Sequence, residues 1–313
     1  MRAYVIIATK GRAKETQRLI DCLQRQTLQP HFLIVAGSEQ QDIEGIQNHP
    51  WIAAGHGEAI VSPRVGSAAQ RNFGMERLEQ RGYFAPGEGQ FFCAFFDDDY
   101  RLDKDWLKRA EERFTIGSIV GLTGQTLADG VRTEGLTENQ ATAFLNGEAP
   151  PQSHWASGAD ERDSDSVYGC NMAFIDTVIR AVRFDEALPL YGWQEDRDYT
   201  GMAKRLGRVI YFPDCRGVHL GVKSGRTSGI KLGYSQIANP IYLMKKGTMG
   251  HKIGLKFIGR ALAANIVRSL SDHPFVDYRG RLRGNMRALL DVLLMRSDPR
   301  NILNADLSSK KPQ

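Results

Sequence analysis

Apolar positions in this chain alternate between short unbroken runs and helical spacing. Residues 3–8 are a β-branched and aliphatic run, turned by Thr9-Lys10-Gly11-Arg12. Residues 14–26 carry Leu19, Ile20 and Leu23 at helical spacing, and Pro30 closes that segment. Residues 31–36 form a second apolar run, closed by Gly37-Ser38. Strand, helix and strand at this spacing predict a βαβ unit, so the sheet starts parallel. A short strand at 60–61, a helix over 66–80, a strand over 91–96, a helix over 103–114 and a strand over 119–124 extend the series. An unbroken apolar strand implies cover on both faces of the sheet. The class is α/β.

The pattern then weakens. From 125 to 166, with Pro150-Pro151 and Gly158, the periodicity fades, as in a long surface insertion. Regular structure is expected again over 167–174, with a short helix over 176–182 and a helix over 193–206. A strand over 209–212 is ended by Pro213, and Val218-His219-Leu220 sits at a further strand end. Residues 221–233, rich in glycine with Lys223, Arg226 and Lys231, read as a flexible basic loop. Residues 252–270 and 282–295 read as two basic helices. No internal repeat or low-complexity segment interrupts the chain.

Composition narrows the class. At 313 residues the chain is near the upper end of one α/β domain. Hydrophobic content of 42% and charged content of 25% are those of a soluble globular protein. No apolar run approaches the ~20 residues that span a bilayer, and the first residues read as a core strand, not a signal peptide. Cys22, Cys93, Cys170 and Cys215 are far apart, which argues against a zinc site or disulfide framework and fits a reducing cytoplasm. The net charge of +5 is uneven, because residues 251–300 hold ten Lys and Arg against four Asp. Those two basic helices either pack on the rest of the protein or face anionic lipid. No recognised nucleic-acid motif accompanies them.

Four groups of residues carry candidate chemistry. The run 91–96 enters Asp97-Asp98-Asp99, and three acids at a strand end open a cleft, because unpaired buried carboxylates are costly. In open α/β sheets that edge binds ligands, and carboxylates suit Mg²⁺ or Mn²⁺ with phosphates. A solvated acidic turn is the plain alternative. Extended geometry would put Asp97 and Asp99 on one side and Asp98 on the other. In Tyr191-Gly192-Trp193-Gln194-Glu195-Asp196 the acids either cap a helix or include a general base. His219 is a structural histidine or completes a metal shell with Asp99, and Lys223 and Arg226 after it are linker cations or phosphate partners. Arg71 and Asn72, early in the helix over 66–80, face either solvent or the cleft.

Taken in order, these pieces resemble the family 2 glycosyltransferases, which have the GT-A fold. The resemblance covers about 1–245 and rests on Thr9-Lys10-Gly11-Arg12, Ala69-Gln70-Arg71-Asn72-x-Gly74, Phe96-Asp97-Asp98-Asp99, Gly169-Cys170-Asn171-Met172, Glu195-Asp196 and His219. It implies a Rossmann-like, mixed, mainly parallel sheet flanked by helices. The implied division is a nucleotide-sugar half at about 1–124, an acceptor half at about 125–245 and a basic helical extension at 246–313. It further implies an inverting enzyme that uses Mn²⁺ or Mg²⁺ and a nucleoside-diphosphate sugar, most simply a UDP-sugar. Its acceptor would be a saccharide or polyprenyl-linked glycolipid of bacterial-type surface polysaccharide, met in the cytoplasm or at the inner face of an anionic membrane. By the same resemblance Thr9, Arg12 and Arg71 line the nucleotide pocket, with Arg226 on the diphosphate. Asp97 lies near ribose or metal, and Asp99 and His219 ligate the metal. Asp196 is the base, with Glu195 as second candidate, and Asn171 belongs to the sugar or acceptor pocket. Family members often carry an Asp at the end of the second strand; here Ala36-Gly37-Ser38-Glu39 stands there, and Ser38 substitutes. Asp98 is in the nucleotide group without a specific role. A nucleotidyltransferase and a non-catalytic nucleotide-sugar-binding membrane scaffold are the competing readings.

Overall fold

The computed structural model describes residues 1–85, 87, 89–224 and 228–304. The first half is built as the apolar runs imply. Strands β1 (Arg2–Thr9), β2 (Phe32–Gly37), β3 (Gly57–Val61) and β4 (Phe91–Asp97) lie parallel in the order β3-β2-β1-β4. Alternate side chains enter two different cores. Val5, Ile7, Val35, Ala94 and Phe96 pack under α1 (Ala13–Gln24) and α3 (Trp106–Phe114). Tyr4, Ile6, Ile34, Cys93 and Phe95 pack under α2 (Ser67–Gln80), α5 (Asp176–Ala181) and α6 (Glu195–Ala203). Cover on both faces is why these strands lack polar alternation. Gly74 lets α2 approach the sheet, since a Cβ there would stand 2.6 Å from Ile6 Cγ2.

The chain winds outward from β1 to β3, then returns to place β4 on the other side of β1. This reversal makes a crevice at the carboxyl ends of β1 and β4. Beyond it the sheet is mixed. β8 (Asn171–Ile175) is antiparallel to β4 and to β6 (Ile119–Asp129), and β9 (Arg208–His219) is parallel to β6. The short strands β5 (Tyr100–Leu102) and β7 (Arg162–Asp163) run antiparallel to β9. The fold is thus α/β with a mixed sheet between helices.

Three expectations are corrected. Residues 125–166 are not a plain insertion, because β6 runs on to Asp129, and Thr137 with Gln140 forms a capping box for α4 (Glu138–Leu145). The two short strands expected around Pro213 are one strand, β9, whose register on β6 shifts where the proline sits. The loop expected over 221–233 gives way at Gly229 to α7 (Gly229–Lys246), a helix the pattern missed.

Helices α7, α8 (His251–Arg268) and α9 (Tyr278–Leu293) form a separate layer around Tyr234, Ile237, Ala238 and Ala288. Gly233 and Gly284 set how closely α7 and α9 cross. A Cβ on either would meet a carbonyl oxygen of the other helix, Arg281 or Ile230, at 2.0 Å. This layer is fastened to the sheet by Lys246 Nζ, which donates to Asp185 Oδ2 at 2.6 Å and Asp198 Oδ2 at 2.7 Å. Among the described residues no helix is long and apolar enough to cross a membrane.

Candidate active site

The acid triplet sits at the sheet reversal. β4 stops at Asp97, the chain turns, and β5 pairs Tyr100 with His219 at the end of β9. One ligand atom each of Asp97, Asp99 and His219 lies within 4.8 Å of the others. Asp99 is 1% and His219 5% exposed. His219 Nε2 stands 3.2 Å from Asp99 Oδ1, which is buried and has no hydrogen-bond donor among the described residues. A buried carboxylate oxygen without a donor is costly unless something else fills its lone pairs. Two carboxylates and an imidazole around that oxygen fit a divalent ion such as Mn²⁺ or Mg²⁺.

His219 is braced from behind. Its Nδ1 lies 3.4 Å from Asp129 Oδ1 and 3.3 Å from Tyr168 Oη, which donates to Asp129 Oδ2 at 2.7 Å. A carboxylate behind an imidazole fixes its tautomer and aims Nε2 forward. Burial opposes ionisation of Asp99, but His219 and Arg12 outweigh it and hold its pKa below the carboxylate range.

Asp98 turns the other way, into the corner of β1 and α1. Thr9 Oγ1 donates to its Oδ2 at 2.7 Å, and Arg12 Nη1 donates to its Oδ1 at 2.9 Å. Arg12 Nη1 is also 3.4 Å from Asp99 Oδ2, while its Nη2 and Nε donate to the carbonyls of Val222 and Ser224. The Val222 backbone N–H donates to Asp99 Oδ2 at 2.7 Å. Arg12 therefore ties the acid turn to the segment after His219. Burial pushes the Asp98 pKa up, against the attraction of Arg12. Lys223 Nζ donates to the carbonyls of Gly130 and Val131. Arg226 lies outside the described residues.

At the end of β2, Ser38 is buried, and among the described residues its Oγ has no hydrogen-bond partner. Its neighbour Asp42, which the sequence did not single out, accepts from the backbone N–H groups of Gly11, Ser38 and Glu39 at 2.6, 2.8 and 2.9 Å. Gln70 Nε2 donates to the carbonyls of Thr9 and Ala36, holding the ends of β1 and β2 together.

A second pair of acids begins α6, after Gly192 and Gln194 take left-handed backbone. Arg71, only 2% exposed, joins them to the triplet. Its Nη2 donates to Asp97 Oδ1 at 3.0 Å and to the Gly169 carbonyl at 2.9 Å, and its Nη1 donates to Glu195 Oε1. Arg71 is therefore a buried bridge between the two acid groups. Ser67 Oγ takes the other Glu195 oxygen at 3.2 Å. Asp196 is different. Among the described residues its hydrogen bonds come from the backbone N–H groups of Gly169, at 3.0 Å, and Arg197, at 2.8 Å. Burial pushes the Glu195 pKa up to about 7, against Arg71, and pushes that of Asp196 upward too. Asn171 does not line the cleft; it is 0% exposed, and its Oδ1 accepts from the Trp106 indole at 2.9 Å.

No family model and no curated protein matches the sequence. Solved structures do match the fold. A TarS fragment, residues 1–349, from S. aureus superposes with a TM-score of 0.56 at 14% identity, covering 98% of this chain and 88% of that one. The chain has the GT-A fold. The same fragment in complex with UDP-GlcNAc gives a TM-score of 0.55 at 16% identity, covering 98% and 89%. The mannosyltransferase PcManGT from Pyrobaculum calidifontis, in complex with GDP-Man and Mn²⁺, gives 0.54 at 15% identity, covering 98% and 86%. On this GT-A sheet, Asp129, Tyr168 and Asp42 are the site-shaping residues the sequence pattern passed over, and Gln70 was named only within its motif. Asp129 alone had a visible signal, an acid directly after an apolar strand, obscured because that strand was expected to end at 124.

Proposed function

We propose that the protein is an inverting, metal-dependent glycosyltransferase that moves a sugar from a nucleoside-diphosphate sugar to an acceptor hydroxyl. One observation carries this reading: Arg71 links a cluster fit for a cation, Asp97-Asp99-His219, to a second, raised-pKa acid pair at the same sheet reversal. The first cluster is suited to the donor diphosphate and its ion, the second to the acceptor. Structures of the same fold that hold UDP-GlcNAc, or GDP-Man with Mn²⁺, support the donor class.

In this reading Asp99, His219 and Asp97 would hold the ion, which would supply positive charge against the departing diphosphate. Thr9 and Arg12 keep Asp98 turned aside, and the Ser38 hydroxyl is free for the nucleotide base. Asp196 takes the proton from the acceptor hydroxyl, because Glu195 is held by Arg71 and Ser67. A raised carboxyl pKa makes it a better base near neutral pH. We further read the acceptor as a saccharide or polyprenyl-linked glycolipid, met by a cytoplasmic protein at an anionic membrane. The ends of α8 and α9 support this: Leu270, Leu293 and Met295 are 83%, 80% and 94% exposed in the basic part of the chain.

Melting the protein with a panel of UDP- and GDP-sugars, with and without Mn²⁺, tests the reading. A donor at 100 times its Kd adds about 2.7 kcal/mol and raises Tm by several degrees. The matching sugar is then released slowly from that donor. No metal-dependent shift with any nucleotide-sugar contradicts the proposal.

A further inference from the structure

A cavity lies at the start of α6, where Arg197 follows Asp196. It measures about 180 Å³ and is lined by Asp165, Arg197, Ile253, Lys256, Phe257 and Arg260, between α6 and α8. Three of these six side chains are cations. The single acid is already paired, since Asp165 Oδ1 meets Lys204 Nζ.

Arg197 is the central group. It is half-buried, and its Nε and Nη1 donate to Gln194 Oε1 at 2.9 Å and the Asp165 carbonyl at 3.2 Å. Among the described residues no carboxylate comes within ion-pair distance of its guanidinium. Its plane is held 5.1 Å from the Phe257 ring centroid, and Trp193 braces that ring edge-on. Lys256 and Arg260, four residues apart on α8, are neighbours on one helical face. Among the described residues neither makes an ion pair or a side-chain hydrogen bond. A half-buried guanidinium with two exposed cations beside it makes a positive patch that attracts an anion.

Size and position limit that anion. Clefts for drug-sized ligands begin at roughly 300 Å³, so this cavity suits one compact charged group and not a nucleotide. Arg presents a planar fork that matches phosphate oxygens, and Lys adds a point charge. Arg197 directly follows Asp196, whose Oδ1 accepts the Arg197 backbone N–H. A group held by Arg197 is anchored one residue along α6 from the proposed base.

We infer that this cavity binds a phosphate group of the acceptor and so positions the acceptor hydroxyl at Asp196. Its role in transfer rests on the glycosyltransferase reading above. The phosphate belongs either to a soluble phosphate-bearing acceptor or to the headgroup of a lipid-linked one.

Isothermal titration of the full chain with glycerol 3-phosphate tests this, in excess EDTA so that no divalent ion recruits the probe to the triplet. The expected result is saturable one-site binding, weakened at least tenfold in Lys256→Ala/Arg260→Ala and again in Arg197→Gln. Both α8 residues are exposed, so the double variant keeps a wild-type melting curve, which is recorded alongside. No saturable binding, or equal binding by wild type and both variants, overturns the inference. Flotation on phosphatidylglycerol vesicles that glycerol 3-phosphate competes away assigns the site to a lipid headgroup. Phosphate binding without flotation assigns it to a soluble phosphate. The titration uses no donor: loss of phosphate binding with donor binding intact sinks this inference alone, and loss of donor binding with phosphate binding intact sinks the glycosyltransferase reading alone.

Discussion

The two acid groups of the site use the same residue types in opposite environments. Asp99 is surrounded by cations and donors, namely His219, Arg12 and the Val222 N–H, and stays ionised despite burial. Asp196 has two backbone N–H groups, and burial pushes its pKa upward. The first environment suits a fixed negative charge that holds an ion. The second suits a group that gains and loses a proton. Environments that push carboxyl pKa values apart separate roles in this way. Arg71 is the physical link between the two, with one arm on Asp97 and one on Glu195.

The contrast can be broken at either end or in the middle. The largest expected effect is at the proposed base: Asp196→Asn lowers transfer by about 10²–10⁴-fold and leaves donor affinity nearly unchanged. Turnover assays and calorimetry check this, and normal turnover removes Asp196 from the role. Next, Arg71→Ala leaves Glu195 and Asp97 facing each other without their cation. A buried pair that loses one partner costs about 3–5 kcal/mol, read as a lower denaturant midpoint. A midpoint within experimental error of wild type would show that the bridge carries little. Behind the metal-side cluster, Asp129→Asn should weaken Mn²⁺ affinity by about 10–100-fold with little change in the metal-free melting temperature. An unchanged affinity would reduce Asp129 to packing.

The mildest test is pH. A base must be ionised to accept a proton, so kcat/KM falls as pH drops through its pKa. Burial raises the Asp196 pKa, which places the acid limb of the profile above the ordinary Asp range. A limb inside that range would mean that the acid pair is not set apart from the triplet.

Much of the first half of the fold was legible from the chain alone. β1, β2 and β4 are unbroken apolar runs because helices cover both of their faces, and the acids begin where that cover ends. Helices were legible near α8 and α9, at 252–270 and 282–295, but α7 was not. In α7 the residues Gly229, Gly233 and Pro240 look like linker, yet Gly233 is there so that α9 can cross at backbone distance. The site divides the same way. Asp97, Asp99 and His219 could be gathered because each stands at a strand end. Asp129 lay past the expected end of its strand, and Asp42 and the Asp98–Arg12 pairing depend on loop paths, which residue spacing does not encode.

The central claim is that the triplet holds the ion and the α6 pair does not. Mn²⁺ binding followed by electron paramagnetic resonance, on wild type, Asp99→Ala and Asp196→Asn side by side, tests it most directly. Wild type and Asp196→Asn are expected to remove the free Mn²⁺ signal with equal affinity, while Asp99→Ala leaves it. Retention of Mn²⁺ binding by Asp99→Ala, or its loss in Asp196→Asn, would contradict that claim.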